Sequence, residues 1–256
     1  MYQEERLERI VEYINTHKRI SVEEICSIYE VSRDTARRDL VKLEEQNRII
    51  RTHGGALLST IQKDAMNYRE RLQYVMEEKR AIGKIAASLI KSGDKIILDS
   101  STTVQACAEF IDVENCTVIT NSINQAEILS TKRGLDIHLL GGDLNKEQLF
   151  LYGPQVITAL SQYIVDKAFI GVFGITSKGI TTSLEDDGHV VRKMIEQAEQ
   201  VIVLADHTKF GCNGYFKYAE LSEIDLIITD QPPTEEYMKI FEKHKISVIH
   251  TQKTKE

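Results

Sequence analysis

Seven short apolar runs, at residues 95–98, 117–120, 137–140, 168–172, 201–205, 226–229 and 246–249, limit how this chain can fold more than any other feature. Between and around them, helical spacing fits residues 80–90, 103–110, 122–130, 154–162, 189–197 and 234–241. Short apolar runs alternating with amphipathic helices predict an open α/β sheet. The longest uninterrupted apolar stretch, AFIGVFGI at 168–175, is well short of a bilayer span, so no membrane partner is expected. The chain opens MYQEERLERI, acidic and basic by turns, which does not look like an export signal. A soluble, cytoplasmic protein follows as the expectation, and the scattered Cys26, Cys107, Cys116 and Cys212 fit reduced thiols in packing roles.

Polar residues cluster where the predicted strands end, which is where open parallel sheets bind ligands. Asp99-Ser100-Ser101-Thr102-Thr103 is a hydroxyl-rich loop leading into a helix, and the N–H groups of a helix start favour an anion such as phosphate. Capping explains part of that loop, but five consecutive polar residues exceed what a cap needs. Thr120-Asn121-Ser122, Gly141-Gly142-Asp143, Gly171 and Asp206-His207-Thr208-Lys209 end later strands, with Lys209 a candidate cation for a sugar or phosphate oxygen.

The first sixty residues follow a different rule. Leu7, Ile10, Val11 and Ile14 make one amphipathic stripe. Ser21 and Glu24 have capping-box spacing at the start of a short helix over 22–29, in which Ile25 and Ile28 are expected to face inward. After a short turn, Ser32 can cap a third helix to about residue 46, with Ala36, Leu40 and Leu43 as its buried seam. That spacing predicts a helix-turn-helix, whose last helix presents Arg33, Thr35, Arg37, Arg38 and Lys42 to the major groove. Arg forks onto guanine O6 and N7, and Thr covers a thymine methyl or hydrogen-bonds, so these residues divide between base and phosphate contacts. Residues 48–51 alternate polar and apolar before His53-Gly54-Gly55, which fits a β-wing with Arg51 and His53 as phosphate contacts and glycines that permit a turn or close approach to DNA. The protein has a formal net charge of -7, yet residues 32–51 carry six Lys/Arg against four Asp/Glu. A locally basic face on an acidic protein meets phosphate without general adhesion to it.

VSRDTARRDLVKLEEQNRIIRTHGGA, residues 31–56, resembles the N-terminal domain of the DeoR family of bacterial transcriptional regulators, with Arg37-Arg38-Asp39-Leu40, Leu43 and the Gly54-Gly55 pair matching the family pattern. LDSSTT from 98, VITNS from 118, LLGG from 139, DKAFIGV from 166 and VLADHTKFG from 203 resemble the family's sensor domain, a fold related to ribose-5-phosphate isomerase and the CoA-transferase group. The chain departs from the family pattern at Asp186-Asp187-Gly188-His189. The resemblance implies a winged helix-turn-helix over residues 1–57, a joining segment over 58–79, and an α/β effector-binding and oligomerisation domain over 80–256. It also implies a repressor of a carbohydrate-metabolism operon, acting on double-stranded operator DNA as a homodimer or homotetramer under a phosphorylated sugar or related metabolite. Ser32, Arg33, Thr35, Arg37, Arg38, Lys42, Arg51, His53, Gly54 and Gly55 are the expected DNA contacts. Asp99 through Thr103, Thr120, Asn121, Ser122, Gly141, Gly142, Gly171, Asp206 and Lys209 are the expected effector contacts.

Two other readings compete with this one. Asp99, Glu185, Asp206 and Lys209 supply residue types a sugar-phosphate isomerase would use, but coupling to a DNA-reading module makes catalysis unnecessary. A protein-binding adaptor would leave the basic helix and the hydroxyl-rich strand end unexplained. No cofactor or metal is expected: no Gly-x-Gly-x-x-Gly follows the first strand, and the seven histidines lack paired ligand spacing.

Overall fold

The computed structural model describes residues 2–17, 19–45, 48–52, 54–58, 67–73 and 76–251. They fall into two compact units, residues 1–66 and 67–256. The first runs α1 (Gln3–His17), β1 (Arg19–Ser21), α2 (Val22–Tyr29), α3 (Arg33–Glu45), β2 (Ile49–Thr52) and β3 (Gly55–Leu58). Leu7, Ile10, Ile14, Ile25, Ala36, Leu40, Leu43 and Ile49 close one core, so the predicted stripes of all three helices meet. The capping box forms: Glu24 N donates to Ser21 Oγ at 3.1 Å, and Ser21 N donates to the Glu24 carboxylate at 2.7 Å.

Ile28 is a correction, since it is 45% exposed. The stripe that packs is Val22, Ile25, Cys26 and Tyr29, an i, i+3, i+4, i+7 series that leaves Ile28 outside. β1 was also unexpected, and it makes the wing a three-stranded sheet in the order β1-β3-β2. Gly55 lies opposite Ser21 there, and a Cβ on it would sit 2.1 Å from the Ile20 carbonyl oxygen. Packing of the wing on β1 therefore accounts for this glycine.

The second unit begins with α4 (Tyr68–Gln73) and α5 (Met76–Ser88), then β4 (Lys95–Leu98), α6 (Thr102–Phe110), β5 (Cys116–Thr120), α7 (Ile123–Ser130) and β6 (Leu135–Leu139). A hairpin of β7 (Asp143–Asn145) and β8 (Phe150–Tyr152) leads to α8 (Pro154–Leu160) and β9 (Val165–Gly171). β10 (Gly174–Thr176), β11 (Gly179–Thr182), α9 (Glu185–Glu196), β12 (Ala198–Leu204), β13 (Phe216–Ala219), β14 (Leu226–Thr229), α10 (Glu235–Lys243) and β15 (Ser247–His250) complete it. All seven predicted strands enter one parallel sheet, ordered β15-β14-β12-β9-β4-β5-β6. Its two faces bury separate cores: Ile96 and Leu98 pack with Ile82, Val104 and Leu129, and Ile97 packs with Val156, Val190, Met194 and Phe241.

Two features depart from expectation. Residues 177–182, where no strand was predicted, contain strand β11, which pairs with β10 and β13 in a small antiparallel sheet. The helix predicted to start at residue 189 starts at Glu185. Chain order reverses between β4 and β9, and the crevice beyond the carboxyl ends of strands at such a switch point is the usual ligand position in open α/β sheets.

Candidate functional site

In the first unit, Ser32 Oγ accepts from Thr35 N at 3.2 Å and lies 2.9 Å from Thr35 Oγ1, so both residues help to start α3. Arg37 and Arg38 are exposed and have no ion pair among the described residues. Arg33 pairs with Glu23 at 3.0 Å and Arg51 with Glu44 at 3.3 Å. These are exposed pairs of small net worth, so phosphate can displace the carboxylates at little cost. Lys42 reaches Gln3 Oε1 at 3.5 Å. Gly54 is exposed with no neighbour within 4 Å of a built Cβ, whereas Gly55 is buried. His53 lies outside the described residues.

Asp39 sits among these cations but faces the other way. It is fully buried, and its carboxylate accepts from Arg6 Nε at 2.6 Å, from Arg6 Nη2 at 3.2 Å and from Gln3 Nε2 at 2.9 Å. The pair ties α3 to α1, and the Asp39 carboxylate holds the Arg6 guanidinium above its ordinary pKa. One helix thus turns Asp39 inward and Arg37 and Arg38 outward.

In the second unit, the loop after β4 crosses the switch point. Asp99 Oδ1 accepts from Ser101 N at 2.8 Å and Oδ2 from Gly171 N at 2.7 Å, which pins the loop to β9. Burial pushes the Asp99 carboxyl up to about 7, against the pull of the Ser101 N–H. Gly171 has no room for a side chain, because a Cβ there would lie 2.0 Å from Ser101 Oγ. Ser101 caps α6 by accepting from Val104 N at 3.1 Å, and Ser100, Thr102 and Thr103 are buried beside it. Thr120 Oγ1 donates to Gln125 Oε1 at 3.2 Å and accepts from Ser122 N at 3.1 Å, while Ser122 caps α7. Gln125 Nε2 in turn donates to the Asp99 carbonyl, joining the ends of β4 and β5. Asp206 caps the 3-10 turn His207–Lys209 after β12 by accepting from Thr208 N at 2.9 Å, and Lys209 is half-buried on that turn. Gly141 and Gly142 lie exposed beyond β6.

Residues that the sequence reading passed over complete this end of the sheet. Arg71 on α4 holds its guanidinium 5.7 Å from the Tyr68 ring centre and donates from Nη2 to Gln148 Oε1 at 2.6 Å. Its buried Nε has no hydrogen-bond partner. Burial lowers the Arg71 pKa, and Asp187, Tyr68 and Asp99 act against that shift. Asp187 on α9 is pushed up to about 6 by burial, with Arg71 and the Thr182 hydroxyl drawing it back. Tyr68 is fully buried and donates to Gln105 Oε1 at 2.5 Å. Beside Asp206, His207 Nδ1 lies 2.6 Å from Asp230 Oδ2, a contact that raises the histidine pKa. The switch-point end thus carries hydroxyls and amides, with the Asp99 and Asp187 carboxyls acting on the Arg71 guanidinium. His189 lies on the exposed side of α9, 3.5 Å from Glu185, with its ring against Phe216.

Among the described residues no three His, Cys, Asp or Glu side chains group as metal ligands, and no helix is long and apolar enough to cross a membrane. Residues 6–62 match the family described as the DeoR-like helix-turn-helix domain, and residues 75–231 match the DeoR C terminal sensor domain. The chain is 56% identical to the HTH-type transcriptional repressor GlcR of Bacillus subtilis (strain 168) over 98% of each chain. It is 33% identical to the glycerol-3-phosphate regulon repressor of Escherichia coli (strain K12), over 97% of this chain and 99% of that one. A solved ribose 5-phosphate isomerase from Plasmodium falciparum aligns with 54% of each chain at 16% identity and a TM-score of 0.39.

Proposed function

The chain belongs to the DeoR family of DNA-binding transcriptional regulators, and from that premise we propose that it represses a carbohydrate-metabolism operon in the cytoplasm and that a phosphorylated sugar or related metabolite sets its operator affinity. DNA binding is assigned to residues 1–57, and effector binding and oligomerisation to 80–256, with 58–79 joining them and contributing Arg71. A homodimer or homotetramer places two recognition helices on repeated half-sites. Catalysis is not part of the reading, because an effector that binds two conformations unequally is sufficient to shift operator affinity.

The observation that carries the reading is the contrast within α3, where Asp39 is consumed inside the domain while Arg37 and Arg38 face solvent unpaired among the described residues. Arg33, Thr35 and Lys42 flank them on the same helix and Ser32 caps it; Arg51 and Gly54 of the wing, together with His53, are assigned to the sugar-phosphate backbone. Gly55 serves the interface indirectly, by letting the wing close on β1.

The effector half of the reading rests on Arg71. A guanidinium whose buried Nε has no hydrogen-bond partner suits an anionic oxygen, and the Ser100, Thr102 and Thr103 side chains lie buried in the loop after β4. Lys209 and the Asp206 turn border the same end of the sheet. The DNA half is tested by the double variant Arg37→Ala, Arg38→Ala. Operator affinity is expected to fall by at least about 10-fold, and the slope of log affinity against log salt by roughly 1 to 2. Fluorescence anisotropy across a salt series measures both, and unchanged affinity and slope would remove α3 from the interface.

A further inference from the structure

β6 ends the seven-stranded sheet, so one side of its backbone has no strand partner among the described residues. Cys116 N donates to the Gly134 carbonyl and Leu140 N to the Thr120 carbonyl, so the even-numbered positions along β6 bond inward to β5. Leu135, Ile137 and Leu139 therefore turn their N–H and C=O groups to the open edge. Such an edge is a template for another strand, and folded proteins blunt it with lysine, proline or a bulge. The segment LDIHL contains neither residue, and its register against β5 is unbroken.

The side chains select the strand that fits. Asp136 and His138 are exposed on one face of β6, where the His138 ring meets Tyr163 edge-on with 5.9 Å between centroids. On the other face Leu135 and Ile137 are half-buried against the core, and Leu139 is 46% exposed. When a second β6 is laid antiparallel with Ile137 opposite Ile137, Asp136 faces His138 and Leu135 faces Leu139, each pair occurring twice. An imidazole N–H donates to a carboxylate whether the ring is neutral or protonated. Sliding the strands by two residues one way sets Asp136 against Asp136, and the other way sets His138 against His138, so the charges favour the central register. The far edge of the sheet offers no such match. There Ser247 N and Thr251 N donate to the Asp225 and Thr229 carbonyls, Val248 and His250 point outward, and β15 has no acidic residue.

We propose that the β6 edge is a subunit interface, in which two copies of this chain join their sheets antiparallel about a two-fold axis at Ile137. This rests on the homo-oligomer part of the reading above and names the surface that part leaves open. Each outward residue exchanges both backbone bonds with its opposite, Asp136 and His138 cross-pair on one face, and Leu139 meets the partner's Leu135 on the other. A contact of this kind is self-complementary and closed, so it leaves no β6 edge to recruit a third chain.

Sedimentation velocity on the full chain over a concentration series tests this with two variants at exposed positions. Asp136→Lys sets lysine against histidine, and His138→Asp sets carboxylate against carboxylate. Each alone is expected to raise the dissociation constant of this contact by about 10-fold or more. Mixed in equal amounts the two variants are complementary, because the introduced lysine meets the introduced aspartate and the retained His138 meets the retained Asp136. The mixture is expected to associate as tightly as the wild type, a rescue that misfolding of either variant would not give. Variants that associate like the wild type, or a mixture no tighter than its parts, overturn the β6 interface and leave the homo-oligomer reading standing. A wild type that stays monomeric across the series, with and without operator DNA, overturns both.

Discussion

Asp39→Ala is expected to destabilise the first unit by about 3–5 kcal/mol, because it leaves the Arg6 guanidinium buried without its carboxylate. The Arg6 side chain is 8% exposed and that of Asp39 0%, so water does not take over the lost bonds. A unit of this size has only a few kcal/mol of stability to lose. The variant therefore loses its first melting transition at 37 °C and with it operator binding, while the second unit still melts as in the wild type. Replacing both partners, Arg6→Met with Asp39→Leu, removes the unpaired charge and restores most of the stability. Calorimetric melting checks this, and an Asp39→Ala variant within about 1 kcal/mol of the wild type would mean that the buried pair does not hold α3 to α1.

Arg71→Met carries the second large effect. It keeps the apolar stem of the side chain and removes the charge, so binding of a phosphorylated effector is expected to weaken by about 100-fold, the usual consequence of deleting one partner of a buried charge-assisted contact. Operator affinity without effector is unchanged. Arg71→Lys falls between the two, since an ammonium keeps the charge but not the planar fork. The variant also leaves Asp187 without its cation. The Asp187 carboxyl already stands at about 6, above its unfolded value. The stability this contributes is full below the unfolded pKa and is lost as pH rises through 6. Deleting Arg71 moves the folded pKa higher, so the variant's second unit loses more stability at pH 8 than at pH 5. Wild-type effector response in Arg71→Met would remove this residue from the site.

Much of this was legible in the chain because buried parallel strands read as continuous apolar runs. All seven runs became strands of the one sheet, although β9 and β12 begin three residues earlier than their apolar parts, where Asp166, Lys167, Glu199 and Gln200 continue the ladder. β11 was missed because Gly179–Thr182 holds a single large apolar residue, Ile180, and one of its partners, Phe216–Ala219, lies far along the chain. The hydroxyl loop after β4 stood out by composition, but the role of Asp99 as a pin to Gly171 did not, since the contact spans 72 positions. Arg71 looked like one more charge in a mixed segment. Its burial comes from Gln148 and Asp187, which only the fold brings to α4.

On the proposed reading, one chain couples a DNA-reading unit to a sugar-phosphate-sensing unit. Operator affinity at fixed salt, measured with and without a panel of sugar phosphates, tests it most directly. A change of 10-fold or more with one compound, about 1.4 kcal/mol of coupling between the two sites, is the predicted result. Tight, specific operator binding that no compound on the panel alters would contradict it.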